Sequence, residues 1–204
     1  MTNAKEKIKM KKIARGANIM NIRSAKEILE DLRRLSQIIV DLGYSAILQD
    51  DKDLAIEANI LKRRINELSY DIRLSIIYAS KSAWTTKREI EQLASVLQVG
   101  VAAKEISDGV EDLIAIVIRG NGVHPILKSV FGRDYVMKVV EAKKNISLKD
   151  INITEEDSID IEYIRRDDLI LFSPISESLS IRPKDIILLT GSPEKVEETA
   201  RKLL

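Results

Sequence analysis

Two groups of charged side chains are the candidates for chemistry in this chain. Arg165, Arg166, Arg182 and Lys184 cluster around a hairpin and a turn in the C-terminal third. Guanidinium forks suit phosphate geometry, although charges at strand ends also serve simply to solvate them. The second group is Glu105, Asp108 and Asp112. Four-residue spacing puts Asp108 and Asp112 on one helix face with Glu105 beside them, offering hard oxygen atoms. A solvated helix face carries the same spacing. Asp53 and Glu57 are also four apart, but in a first helical turn, where acidic residues favour the helix dipole.

Other chemistries lack their residues. Zero cysteines exclude disulfides and thiolate chemistry. The one histidine, His124, precedes Pro125 and reads as a cap rather than a catalyst. No Ser/His/Asp set forms convincingly, and no Gly-x-Gly-x-x-Gly or Walker loop occurs. No enzymatic activity is therefore expected. Trp84 reads as a loop anchor or an interface residue.

Of the 204 residues, 45% are hydrophobic and 32% charged, the composition of an ordinary soluble domain. No apolar run reaches the roughly 18 residues of a membrane span, and no signal peptide is evident. A cytoplasmic protein is expected, peripheral to a membrane only through a partner. The net charge of +1 is unevenly spread. Lys5, Lys7, Lys9, Lys11, Lys12 and Arg15 face only Glu6, so residues 1–23 read as a basic, flexible tail. The tail lacks interleaved aromatics, and the nucleic-acid signal is not strong.

The elements that position these residues follow from periodicity. Ser24-Ala-Lys-Glu27 is a capping box, and Ile28, Leu32, Leu35, Ile39, Leu42 and Ala46 recur behind it as one helical stripe. Leu54, Ala58, Leu61, Ile65, Leu68, Ile72 and Ile76 form the seam of a second helix. Thr86-Lys-Arg-Glu89 caps a third, which runs to Arg119 and stops at Gly120. Its last turns, Leu113–Ile118, are apolar all round and should be buried on more than one side. Residues 24–120 thus read as an antiparallel three-helix bundle, and 121–133 as a linker with a short helix.

From Tyr135 the period changes to two. Val136–Val140, Ile159–Ile164, Leu169–Phe172 and Ile186–Leu189 read as strands. In the second of these, Ile159, Ile161 and Tyr163 alternate against Asp160 and Glu162 as if to bury a single face. Gly191-Ser192-Pro193 leads into a capped helix over 194–203. The fold class is α+β, with a small βα domain over 134–204.

Ile164-Arg165-Arg166, Pro174, Ile181-Arg182-Pro183-Lys184-Asp185 and Leu189-Thr190-Gly191 resemble, in order and spacing, the C-terminal regulatory domain of potassium-transport proteins known as TrkA-C or RCK-C. Lys184 stands where that family prefers glycine. The helical segment resembles half of a PhoU domain. The likeness rests on Leu61-Lys-Arg-Arg-Ile-Asn-Glu-Leu-Ser-Tyr-Asp-Ile-Arg73 and on Val99-Gly-Val-Ala-Ala-Lys-Glu-Ile-Ser-Asp-Gly-Val-Glu-Asp112.

The PhoU likeness implies metal binding at Glu105, Asp108 and Asp112. Lys104, Lys62 and Asn66 stand where the family has acids, so such binding should be weak. The TrkA-C likeness implies a small anionic ligand, such as a cyclic dinucleotide, at Arg165, Arg166, Arg182 and Lys184. The nucleotide-binding half of full-length TrkA proteins is not in the chain, so no NAD or ATP site is expected.

The resemblances together imply a homodimeric regulatory or accessory protein of cation transport, with potassium the expected ion and a membrane channel or transporter the expected partner. The alternative is a PhoU-like regulator of phosphate transport or signalling, acting as a helical interaction module. A nucleic-acid-associated protein working through the basic tail is a third reading, of a different class.

Overall fold

Side-chain caps start the helices where the sequence offers them. The Ser24 hydroxyl accepts from the Glu27 amide while Glu27 returns to the Ser24 amide, opening α1 (Ala25–Gln49). Asp50 in the left-handed region ends α1, and the Asp51 carboxylate accepts from the Asp53 and Leu54 amides to open α2 (Lys52–Ser80). A second capping box, Thr86 with Glu89, opens α3 (Lys87–Ile118). The computed structural model describes residues 24–80, 86–120, 124–130, 135–151 and 159–204. The basic segment 1–23, Trp84 and Asp134 lie outside the described residues.

All seven residues of the predicted α2 seam are buried, as is the α1 stripe. Each fully buried Leu or Ile contributes about 1.5–3 kcal/mol. Two glycines allow the helices to approach closely. A Cβ on Gly43 would meet Val110 at 2.7 Å, and one on Gly100 would meet Ile72 at 2.8 Å. At the second point the Ser69 hydroxyl donates to the Gly100 carbonyl at 3.0 Å. The end of α3 departs from expectation. Ile114 and Val117 are buried, but Ile116 and Ile118 remain 39% and 47% exposed, so the segment is covered on one side only.

A six-residue α4 (Pro125–Val130) follows, capped by the His124 ring, whose Nδ1 accepts from the Ile126 amide at 3.3 Å. The sheet then has the order β1-β6-β3-β4, antiparallel throughout: β1 (Val136–Glu141), β3 (Ile159–Arg166), β4 (Leu169–Phe172) and β6 (Ile186–Gly191). A two-stranded ribbon pairs β2 (Ile146–Ser147) with β5 (Ser180–Ile181), beside the short α5 (Leu148–Ile151). The chain closes with α6 (Pro193–Leu203), where Pro193 sets the first turn and the Ser192 hydroxyl makes no cap bond.

Both faces of the sheet are covered. Met137, Tyr163 and Leu188 join the core built by α1, α2 and α3. Val140, Ile161, Ile164, Ile187 and Leu189 pack on Val196, Ala200 and Leu203 of α6. The helical region and the sheet region therefore share one core across their seam. Among the described residues no helix is long and apolar enough to cross a membrane.

Strand β3 does not keep the simple alternation its sequence suggests. A register shift lies between Ile161 and Tyr163, with Ile161 opposite Leu189 and Tyr163 opposite Leu188. The extra residue, Glu162, makes a bulge. Ile159 and Ile161 therefore face α6, whereas Tyr163 and Arg165 face the helices.

Candidate functional site

The bulge in β3 aims two polar side chains at a buried carboxylate. Glu57, one turn into α2, is only 3% exposed. Its Oε1 accepts from the Tyr163 hydroxyl at 2.9 Å and from Arg165 Nε at 2.8 Å. Its Oε2 accepts from Arg165 Nη2 at 2.6 Å. This is a two-pronged guanidinium–carboxylate pair, a strong and directional contact. Its hydrogen bonds to Glu57 hold the Arg165 guanidinium above its ordinary value. Burial, with Glu57 adding to it, pushes the Tyr163 phenol well above its ordinary value. Tyr163 is therefore a permanent donor.

Beside this network a cleft of about 430 Å3 opens between α2 and the β3–β4 hairpin. That volume lies within the range of small-ligand sites. Arg165 is shared between network and cleft, and α2 adds Arg63 and Arg64 while the hairpin adds Asp167 and Asp168. Arg64 Nη1 donates to Glu67 at 2.9 Å. Arg63 makes no hydrogen bond or ion pair among the described residues. Asp167 holds φ at 52°, a left-handed turn conformation that Asp tolerates, and so sets the two-residue hairpin. The cleft thus presents Arg63, Arg64 and Glu67 on its α2 wall and Arg165, Asp167 and Asp168 on its β3–β4 wall.

The four predicted anion ligands do not converge. Arg165 and Arg166 are consecutive in one strand, so their side chains leave opposite faces. Arg166 turns away from the helices and grips Asp185, with Nε to Oδ1 at 2.8 Å and Nη2 to Oδ2 at 2.6 Å. Arg166 Nη2 also donates to the Ser180 carbonyl, and the Arg182 amide donates to Asp185 Oδ2, both at 2.8 Å. Burial pushes the Asp185 carboxyl up, but the Arg166 fork and the Arg182 amide outweigh it and hold it below the usual range. The Arg182 and Lys184 side chains lie exposed on the turn before β6.

The predicted metal face is occupied by cations of the protein itself. Lys104 and Lys62 both bridge the Asp108 carboxylate, Lys62 at 3.2 Å, and Lys62 also binds Glu111. Hydrogen bonds from Lys104 and then Lys62 hold Asp108 below its ordinary value. Glu105 and Asp112 stay exposed on α3. Among the described residues no three carboxylate, His or Cys side chains gather as a metal would require.

Sequence reasoning assigned Glu57 to the helix dipole and missed its buried role. The signal was present: Glu57 sits three residues after Leu54 and four before Leu61, on the flank of the buried seam. A carboxylate there needs a cation from elsewhere in the fold. Compared with known proteins, the chain matches no family model and no curated protein.

Proposed function

We propose that the protein is a regulatory or accessory subunit of cation transport, with potassium the expected cation. In this reading α1–α3 form a PhoU-like antiparallel three-helix bundle, and the sheet region is a TrkA-C-like ligand sensor. The observation that carries it is the position of Arg165, bound to Glu57 of α2 and exposed to a ligand-sized cleft. A group that engages Arg165 from the cleft competes with Glu57 for it. Occupancy of the cleft is thereby linked to the placement of α2, which is what a sensor requires.

The wall charges define the ligand. Arg63 and Arg165 favour an anionic group, and Asp167 and Asp168 favour hydrogen-bond donors beside it. A cyclic dinucleotide has both. The PhoU-like likeness of the helices also supports the alternative, a regulator of phosphate transport, in which inorganic phosphate is the ligand.

Thermal-shift measurements with cyclic dinucleotides, nucleotides and inorganic phosphate test the sensor. A ligand at a hundredfold excess over its Kd adds about 2.7 kcal/mol to the stability of the folded state. Arg63→Ala should remove the shift and leave the ligand-free protein within about 0.5 kcal/mol of wild type, because Arg63 has no partner among the described residues. No shift with any of these ligands refutes the sensor. Co-purification from native membranes tests the partner: a cation channel or transporter is expected, and a phosphate transporter would select the alternative.

A further inference from the structure

Away from the cleft, α1 and α3 enclose an open, largely apolar groove of about 600 Å3. Val99, Ala102 and Ile106 form its α3 wall, with Val99 48% and Ile106 43% exposed. The α1 wall carries a charge pattern. Arg33, Gln37 and Asp41 follow one another at four-residue steps, a cation and an anion placed evenly on either side of a neutral amide. Arg33 and Asp41 have no hydrogen-bond or ion-pair partner among the described residues. Between them the Ser36 hydroxyl oxygen is buried and also without a partner there. Neighbouring protein strips water from the Asp41 carboxyl and pushes its pKa up, so the group gains from an added cation.

That pattern is self-complementary. A second α1 laid antiparallel across the first, with a two-fold axis at Gln37, sets each Arg33 opposite the other copy's Asp41. At 1.5 Å per residue both pairs lie about 6 Å from the axis. The same operation lowers each α1 onto the other copy's Val99, Ala102 and Ile106, where the small Ala102 permits close approach. We propose that this groove is where two copies of the chain pair, α1 against α1, about a two-fold axis at Gln37. In an isologous interface residue i meets residue j and j meets i, so charges flanking the axis attract only when opposite signs stand at equal distances from it, a condition that a foreign partner does not impose. The groove does not include the Leu113–Ile118 end of α3, and the pairing holds whatever the transport partner.

Light scattering and sedimentation of the full chain test it. Wild type should run at twice 23.0 kDa at micromolar concentration. Arg33→Asp and Asp41→Arg each put two like-charge pairs across the axis and should raise the dissociation constant roughly tenfold or more. Mixing the two variants should give a heterodimer of near wild-type affinity, and a chain carrying both changes should dimerise again by itself. Both positions are exposed on α1, so circular dichroism should show the helices intact. A monomeric wild type overturns the proposal, as does a dimer indifferent to both reversals. Reversals that weaken the dimer without rescue by the swap overturn the axis at Gln37. A monomer that dimerises only on removal of residues 1–23 assigns the groove to that segment instead.

Discussion

Arg165 and Arg166 are neighbours that make the same contact in two different places. Each offers Nε and Nη2 to a carboxylate almost wholly buried, Glu57 at 3% and Asp185 at 2% side-chain exposure. Each carboxylate takes a third donor, the Tyr163 hydroxyl in one case and the Arg182 amide in the other. The difference is what each pair joins. Arg166 and Asp185 are 19 residues apart and fasten a hairpin to a turn within the sheet region. Arg165 and Glu57 are 108 residues apart and fasten the sheet to the helices. Identical local chemistry is a clasp in one place and a coupling in the other.

Breaking the coupling should have the largest effect. Arg165→Ala leaves Glu57 charged, buried and short of its main partner, which typically costs about 3–5 kcal/mol. Urea denaturation should show that loss, and amide exchange should rise on both α2 and β3. Replacing the whole network, Glu57→Leu with Arg165→Met and Tyr163→Phe, should recover most of the stability, because packed apolar groups can substitute for a buried ion pair. The triple variant should then bind no anion in the cleft. An Arg165→Ala protein as stable as wild type would reduce the pair to a surface contact.

Breaking the clasp should cost less and stay local. Arg166→Ala also strands a buried carboxylate, but Asp185 keeps the Arg182 amide and lies under the exposed turn 182–184, through which water can replace the guanidinium, so the loss is about 1.5–3 kcal/mol. Exchange should rise on β3, β4 and β6 while α2 is unchanged. The pair also has a pH signature. Asp185 is more acidic folded than unfolded, so its contribution is fully present above the unfolded value of about 3.9. That contribution is lost as pH falls through the lower folded value. Wild-type stability should therefore decline below about pH 4, and Arg166→Ala should flatten the decline. Equal slopes in the two proteins would remove Asp185 from the account.

How far the sequence carried depends on whether a feature is local. The capping residues Ser24 and Thr86 and the seam from Leu54 to Ile76 act within one helix, and the structure has them where periodicity puts them. The four strands of the main sheet were legible for the same reason, whereas β2 and β5, two residues each, are too short to show a period. The bulge at Glu162 was not, because alternation is read by counting and one extra residue reverses every side chain after it. That single residue hides both arginine contacts. Taken as a cluster of exposed charges, Arg165 and Arg166 look like ligand groups, yet the fold commits each to a carboxylate. Asp108 shows both sides: Lys104, four residues before it on the same helix, is a partner the spacing displays, but Lys62 reaches it only through how α2 packs on α3.

The smallest effect expected comes from Lys184, beside the clasp. Its φ of 74° is left-handed, a conformation that costs a residue with a Cβ about 1–2 kcal/mol and glycine almost nothing. The backbone there is nonetheless held, because the Lys184 amide donates to the Ala142 carbonyl at 2.8 Å and the next residue is the buried Asp185. The side chain is exposed, so little packing is lost with it. Lys184→Gly removes the strain but loosens the unfolded chain, which offsets part of the gain. A net stabilisation of about 0.5–1 kcal/mol is expected, a rise of roughly 1–4 °C in Tm for a chain of this size. Lys184→Ala keeps the strained backbone and should gain nothing. Because the turn holds Asp185 and not Glu57, the glycine should slow exchange in β3 and β6 and leave α2 as it was. A fall in Tm with glycine would mean that the lysine charge, rather than its backbone, holds the turn.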